Sequence, residues 1–128
     1  MIIKNVNITV QGEESILSQK IVLFKNDDGI KINFKIHQTQ YKFDKNPDDL
    51  VNVFNAQSSS ILILKPNKQS FTTSKTNITD NIVSFTITKD MIDELEELGE
   101  YGLQIHLFDG YNNRLTIPPV KFLVKDTI

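Results

Sequence analysis

The stretch FDGYNNRLTIPPVKFLV, residues 108–124, joins a turn cluster to a double proline and then to a run of strand-forming residues. Asp109-Gly110 with Asn112 and Asn113 carries turn chemistry, and Arg114 to Ile117 extends from it. Pro118 and Pro119 bring no N–H to a sheet ladder, so they place an edge or a kink before a last strand. The segment reads as β-structure, and most of the chain upstream agrees with it.

MIIKNVNITV alternates, with Ile2, Val6, Ile8 and Val10 on one face and Asn5, Asn7 and Thr9 on the other, which is the period of a half-buried strand. A turn over Gln11 to Ser15 leads to a second strand, Ile16 to Phe24, and Asp28-Gly29 marks a tight turn before a third. That third strand points Ile30, Ile32, Phe34 and Ile36 inward. From His37 to Ser60 the pattern dissolves into a long connection crossing between two sheets, in which LVNVF is a candidate short strand. Order returns with ILILK, which stops at a Pro66-Asn67 turn; Ser70 to Asn81 reads as an exposed strand or loop. Val83, Phe85 and Ile87 alternate again, as do Tyr101, Leu103, Ile105 and Leu107.

TKDMIDELEELG is the one helical segment, with Met91, Leu95 and Leu98 on an apolar stripe beside Ile92. Thr88 or Asp90 suits its start, and Gly99 suits the left-handed residue past its end. The spacing predicts an all-β, immunoglobulin-like antiparallel β-sandwich of about seven to nine strands with one short helix around 89–98. An antiparallel barrel is the alternative.

At 128 residues the chain fits a single β-sandwich domain, 1–128. A net charge of −2 makes no electrostatic case for nucleic acid or an anionic membrane surface. The absence of cysteine removes disulfides, thiolate catalysis and Cys-ligated zinc. No basic start with an apolar run indicates a cleavable signal, and no apolar stretch is long enough for a membrane span. Of the 14 cationic residues only Arg114 is an arginine, so bidentate forks for phosphate are scarce.

Candidate chemistry is thin. Asp44, Asn46 and Asp48 match the first positions of a calcium loop, but Asp49 stands where glycine is needed and Asn55 where the bidentate glutamate belongs. The segment reads as a solvated Asx-Pro turn. His37 and His106 both fall on polar strand faces, and Ser58, Ser59 and Ser60 read as a polar loop without a base. The glycines form no phosphate-binding fingerprint. Asp90, Asp93, Glu94, Glu96 and Glu97 read as the solvated face of the helix, with an acidic docking patch as the alternative. Tyr101 follows a corner, as in a tyrosine corner, and Tyr111 sits exposed in a turn. No catalytic, cofactor-binding or metal residue is assigned, and no partner-binding residue.

The string LGEYGLQIHLFDGYNNRLTIPPVKFLV resembles the end of the N-terminal domain of phage baseplate upper proteins. Gly99, Tyr101, Asp109, Arg114, Thr116, Pro118 and Phe122 fit that family's pattern, and ILILKPNKQSF resembles its strand ending in a Lys-Pro turn, with Asn67 and Lys68 in the turn. The match covers the C-terminal third, and the rest agrees in strand order. The resemblance implies a non-enzymatic structural protein of the virion tail baseplate, made in the host bacterial cytoplasm. It implies that this domain begins a longer chain and anchors a receptor-binding or fibre region to the tail tip. Its partners are then other tail and baseplate proteins, with a homo-oligomer, a trimer, in the assembled particle, and no cofactor. A carbohydrate-binding or adhesion module of the same class is the alternative, and a small hydrolase built on the histidines is a third reading.

Overall fold

Most of the alternating runs become strands, but their pairing does not follow chain order. The computed structural model describes residues 2–41, 43–66 and 70–126, with side chains at all of these except 70–75. β1 (Ile2–Gln11) buries Val6, Ile8 and Val10, then turns at Gly12 (φ 59°) into β2 (Glu14–Leu17). β3 (Ile21–Phe24) and β4 (Ile30–Gln38) follow, and β4 buries Ile30, Ile32, Phe34 and Ile36. A short β5 (Asp48–Asp49) leads into helix α1 (Leu50–Phe54), and then β6 (Ser58–Leu64), β7 (Ser70–Thr79) and β8 (Ile82–Ile87). Helix α2 (Lys89–Leu95) precedes β9 (Gly99–Phe108), β10 (Arg114–Thr116) and β11 (Val120–Lys125).

The eleven strands form one hydrogen-bonded sheet in the order β2-β1-β4-β8-β7-β6-β9-β11-β3, with β5 beside β4 and β10 beside β9. This corrects the immunoglobulin-like antiparallel sandwich. β7 joins what a sandwich keeps apart, because Asn77–Thr79 pair with β8 while its earlier residues pair with β6. Two pairs are parallel, β1 with β4 and β3 with β11. The sheet curls into a half-barrel, so that inward rows of its two arms meet in one core. Ile8, Phe34 and Phe85 come from the β1–β4–β8 arm, and Ile61, Leu103 and Phe122 from the β6–β9–β11 arm. The alternative of a closed barrel is also set aside, since β2 and β3 end the path unpaired with each other.

Other expectations shift for local reasons. The second strand splits in two at Ser18, whose N–H donates to the Asn7 carbonyl and whose Oγ accepts from the Asn7 N–H. Beyond that pivot the chain leaves β1 and joins β11 in the other arm. Asp28-Gly29 still turns the chain, with Gly29 at φ 69°, but β4 pairs with β1 rather than closing a hairpin on β3. LVNVF is helix α1, not a strand, since Asp49 caps its first N–H groups and Asn55 ends it in the left-handed region (φ 60°). Helix α2 stops at Leu95, where Glu96 takes a positive φ (65°) with ψ −41° rather than Gly99 capping the helix in the left-handed conformation, and Leu98 is exposed instead of joining the stripe. The connection read over 37–60 does run from one arm to the other, but the arms belong to one sheet, and His37–Gln38 are still β4 while Ser58–Ser60 already belong to β6, with β5 and α1 between them. The Asn67 and Lys68 turn lies outside the described residues.

Candidate functional site

Two acidic loops organise themselves. Asp44 Oδ2 accepts from Thr39 Oγ1 at 2.5 Å and from the N–H groups of Gln40 and Tyr41 at 3.1 and 3.2 Å. The Thr39 hydroxyl, with the two amides, holds the Asp44 carboxyl below the usual carboxylate range against a smaller opposing effect of burial. That carboxylate closes back onto residues 39–41, ahead of the Asn46-Pro47 turn. Asp109 does the same in the β9–β10 turn, taking Tyr111 N–H at 2.8 Å, Asn113 N–H at 3.0 Å and Asn113 Nδ2 at 2.9 Å. The Asn113 side chain and these amides lower the Asp109 carboxyl, again against some burial. Tyr111 stands 83% exposed at the tip.

His37 lies on β4 and His106 on β9, with β8, β7 and β6 between them in the sheet, so they share no site. His37 Nδ1 is buried without a hydrogen-bond partner. The serines are part of β6 and not a loop, and Ser60 sits opposite His106 on the outer sheet face. The imidazole Nδ1 engages Thr116 Oγ1 at 3.1 Å, and burial, with the Arg114 charge, lowers the His106 pKa. Ser59 is buried and hydrogen-bonded to Thr76. Among the described residues no three His, Cys, Asp or Glu side chains form a metal set, and no helix is long and apolar enough to cross a membrane. The acids Asp90, Asp93 and Glu94 of α2, and Glu96 and Glu97 just past its end, are solvent-exposed, and Asp93 pairs with Lys89 at 4.0 Å.

Tyr101 is where the chain is tied most tightly. Its side chain is fully buried, stacks on Phe122 at 5.2 Å and reaches back to the carbonyls of Leu95 (3.1 Å) and Glu97 (2.5 Å). The tyrosine-corner device is present on a sheet that is not a sandwich. Burial raises the Tyr101 hydroxyl pKa, opposed by the Glu97 backbone bond and aided by the Glu97 and Glu96 charges.

Among the described residues a concave feature lies at the seam where the curl fails to close. Ser15 Oγ donates to the Pro118 carbonyl at 2.6 Å, and further along Ile21 stands in register with Phe122. Between these points a groove of about 570 Å³ opens, edged by Leu17, Gln19, Lys20, Pro119 and Lys121 over the buried core residues Ile21, Val120 and Phe122. A hollow of about 420 Å³ adjoins it on the outer face over Gly102, walled by Leu64, Pro66 and Pro119. Sequence reasoning assigned no partner-binding residue and missed this groove. Its one trace there was the Pro118-Pro119 pair, which divides β10 from β11.

No protein-family model matches the sequence, and no curated protein matches it. Among solved structures, the N-terminal domain of phage TP901-1 ORF48 matches with a TM-score of 0.63 at 7% identity, over 98% of this chain and 99% of that one. The likeness is one of fold, and it spans both arms and the seam between them. At that identity the match shows a shared fold over nearly the whole chain, beyond the C-terminal third in which the sequence resemblance was read.

Proposed function

We propose that this chain is a non-enzymatic structural domain of a phage tail or baseplate. In this reading residues 1–128 form the N-terminal domain of a longer chain and anchor a receptor-binding or fibre region to the tail tip. Its partners are other tail and baseplate proteins, and the particle holds it as a homo-oligomer, a trimer. Nucleic acid and membrane play no part, and the protein is made in the host cytoplasm and carried in the virion. The observation that carries the reading is the match in fold, end to end, with the N-terminal domain of ORF48. Cryo-EM of the parent particle, with mass spectrometry of purified virions, tests it. The chain is expected in every virion, in density at the tail tip; its absence from virions overturns the reading.

One observation favours a second reading, a carbohydrate-binding or adhesion module. Tyr41 (69% exposed) and Phe43 (85%) follow the C-terminal end of β4, and Tyr111 (83%) follows that of β9. The strand registers bring those two ends to the same side of the molecule. Exposed aromatic faces suit sugar rings. Calorimetry with host wall polysaccharides is then expected to show binding that Tyr111→Ala and Tyr41→Ala weaken, and null binding across a glycan array retires it.

A further inference from the structure

We propose that the Asp28-Gly29 turn between β3 and β4 is a site of spontaneous backbone modification, where aspartate converts to isoaspartate. The chain holds one other Asp-Gly pair, Asp109-Gly110 in the β9–β10 turn, and the fold keeps that one inert. The reaction needs no partner and is independent of the anchoring role.

The chemistry balances on the chain's own atoms and water. The Gly29 nitrogen adds to Cγ of the protonated Asp28 carboxyl; an N–Cγ bond forms, and the amide proton leaves with the carboxyl hydroxyl as water. A second water then opens the cyclic imide. Cleavage of the N–Cγ bond restores aspartate. Cleavage between that nitrogen and the Asp28 main-chain carbonyl carbon gives isoaspartate, whose chain runs through Cβ and Cγ. Glycine after the aspartate obstructs the approach least, having no Cβ. Both turns meet this condition, so conformation is what separates them.

The two glycines differ in cover. Gly29 sits at φ 69°, and a Cβ built there would meet no described atom within 4 Å. Gly110 lies under the Gln57 side chain, whose Oε1, Nε2 and Cδ stand 3.1, 3.2 and 3.3 Å from the place of a Cβ. Gln57 is anchored beside it, its N–H donating to the Phe108 carbonyl at 2.8 Å.

The two carboxyls differ in restraint. Asp109 is held on both oxygens, Oδ1 by the Tyr111 and Asn113 N–H groups and Oδ2 by Asn113 Nδ2, so Cγ turns toward the Gly110 nitrogen only by breaking them. The same bonds keep it ionised to lower pH, whereas loss of water requires the protonated form. Asp28 is exposed and, among the described residues, accepts one bond, from the Lys89 N–H to Oδ1 at 2.9 Å. Its conversion is structurally costly. Lys89 opens α2, and the Gly29 carbonyl accepts the Ile2 N–H at 3.2 Å where β1 meets β4. Isoaspartate inserts a methylene into the main chain at this junction and removes the carboxylate that faced Lys89.

The test keeps the folded protein in warm, mildly acidic buffer and digests samples with trypsin over time. This releases NDDGIK, residues 26–31, and the peptide 90–114. Chromatography separates the isomers, and electron-transfer fragmentation marks which aspartate has changed. Asp28 should convert roughly tenfold or more faster than Asp109, within what misplacing a reacting pair costs. In urea the two should convert at closely similar rates. Asp28→Glu, whose longer side chain closes a larger ring, should abolish the signal in 26–31. Gln57→Ala combined with Asn113→Ala should raise the Asp109 rate roughly threefold or more, with circular dichroism reporting an unchanged fold. Equal rates at the two pairs in the folded protein, a faster Asp109, or Asp28 conversion confined to urea overturns the proposal. Conversion at Asp27 in place of Asp28 overturns it as well. So does an Asp109 rate unmoved by the double variant, since cover and restraint would then not decide reactivity.

Discussion

Tyr101 shows how one side chain joins helix, sheet and core. Its ring stacks on Phe122 inside the sheet, and its hydroxyl meets the last carbonyls around α2, so the helix exit is fixed by a strand residue. Tyr101→Phe keeps the ring and strips the donor from buried carbonyls, at a cost of about 1–3 kcal/mol and a fall in Tm of roughly 4–12 °C. Thermal unfolding followed by circular dichroism measures it. Because the folded-state pKa of Tyr101 is raised above 10, its contribution is complete below that pH and is lost as pH rises through the folded value. The difference between wild type and Tyr101→Phe in an ultraviolet titration should therefore place this hydroxyl above pH 10. Asp109 works with the opposite sign. Its carboxyl is lowered by the Asn113 side chain and the turn amides, so its contribution is present above 3.8 and fades as pH falls through the folded value. Asp109→Ala should lower Tm near neutral pH, and that deficit should narrow below pH 3.8; a deficit constant with pH would refute the role of the charge.

At the scale of elements, the ends of the sheet are where the fold must protect itself. β3 is an edge strand, and an edge with free N–H and C=O groups invites another chain. At Phe24 both groups are covered by the turn that follows, since the N–H donates to Asp27 Oδ2 at 2.9 Å and the carbonyl accepts the Asp27 N–H at 3.1 Å. Asp27→Ala uncovers the N–H and should give concentration-dependent self-association in sedimentation velocity. Asp27→Asn retains an acceptor oxygen and should stay as wild type. Strands of this kind were legible in the sequence wherever one face is buried and the other wet. Val6, Ile8 and Val10, the β4 row from Ile30 to Ile36, and Tyr101 to Leu107 all alternate as read. What alternation does not carry is pairing. Ile16–Phe24 keeps strand-like residues throughout, and only the two-way hydrogen bonding of Ser18 with Asn7 reveals that β2 and β3 serve different arms. α1 was hidden because Val51 and Val53 favour strands, while its caps, Asp49 and Asn55, also suit a loop. The seam groove was the least legible feature, for its closing bond joins Ser15 to Pro118 across a separation of 103 residues.

The whole molecule depends on a single core shared by two arms of one sheet. Ile32 on β4 and Ile63 on β6 are in different arms, yet both line the same small interior void with Phe85, Leu103 and the α2 residues Ile92 and Leu95. Neither arm has an apolar layer of its own to fall back on, since the inner face of each is the cover of the other. β7 makes the dependence covalent as well as hydrophobic, running from β6 of one arm to β8 of the other without a loop between. A sandwich of separate sheets can loosen along its interface, whereas here the hydrogen-bond ladder continues through the junction. The arms should therefore unfold together in one cooperative step. Ile32→Val and Ile61→Val, one in each arm and each removing a buried methyl group, should cost about 0.5–1.5 kcal/mol apiece. Both should shift the same urea transition, monitored by far-ultraviolet circular dichroism for the sheet and by tyrosine emission, which includes that of Tyr101 on β9. Coincident midpoints with an unchanged slope are the expected result for both variants. A variant whose two probes separate, with the β6–β9–β11 arm persisting after the β1–β4–β8 arm has melted, would show that the arms are independent and that the shared core is not what stabilises the curl.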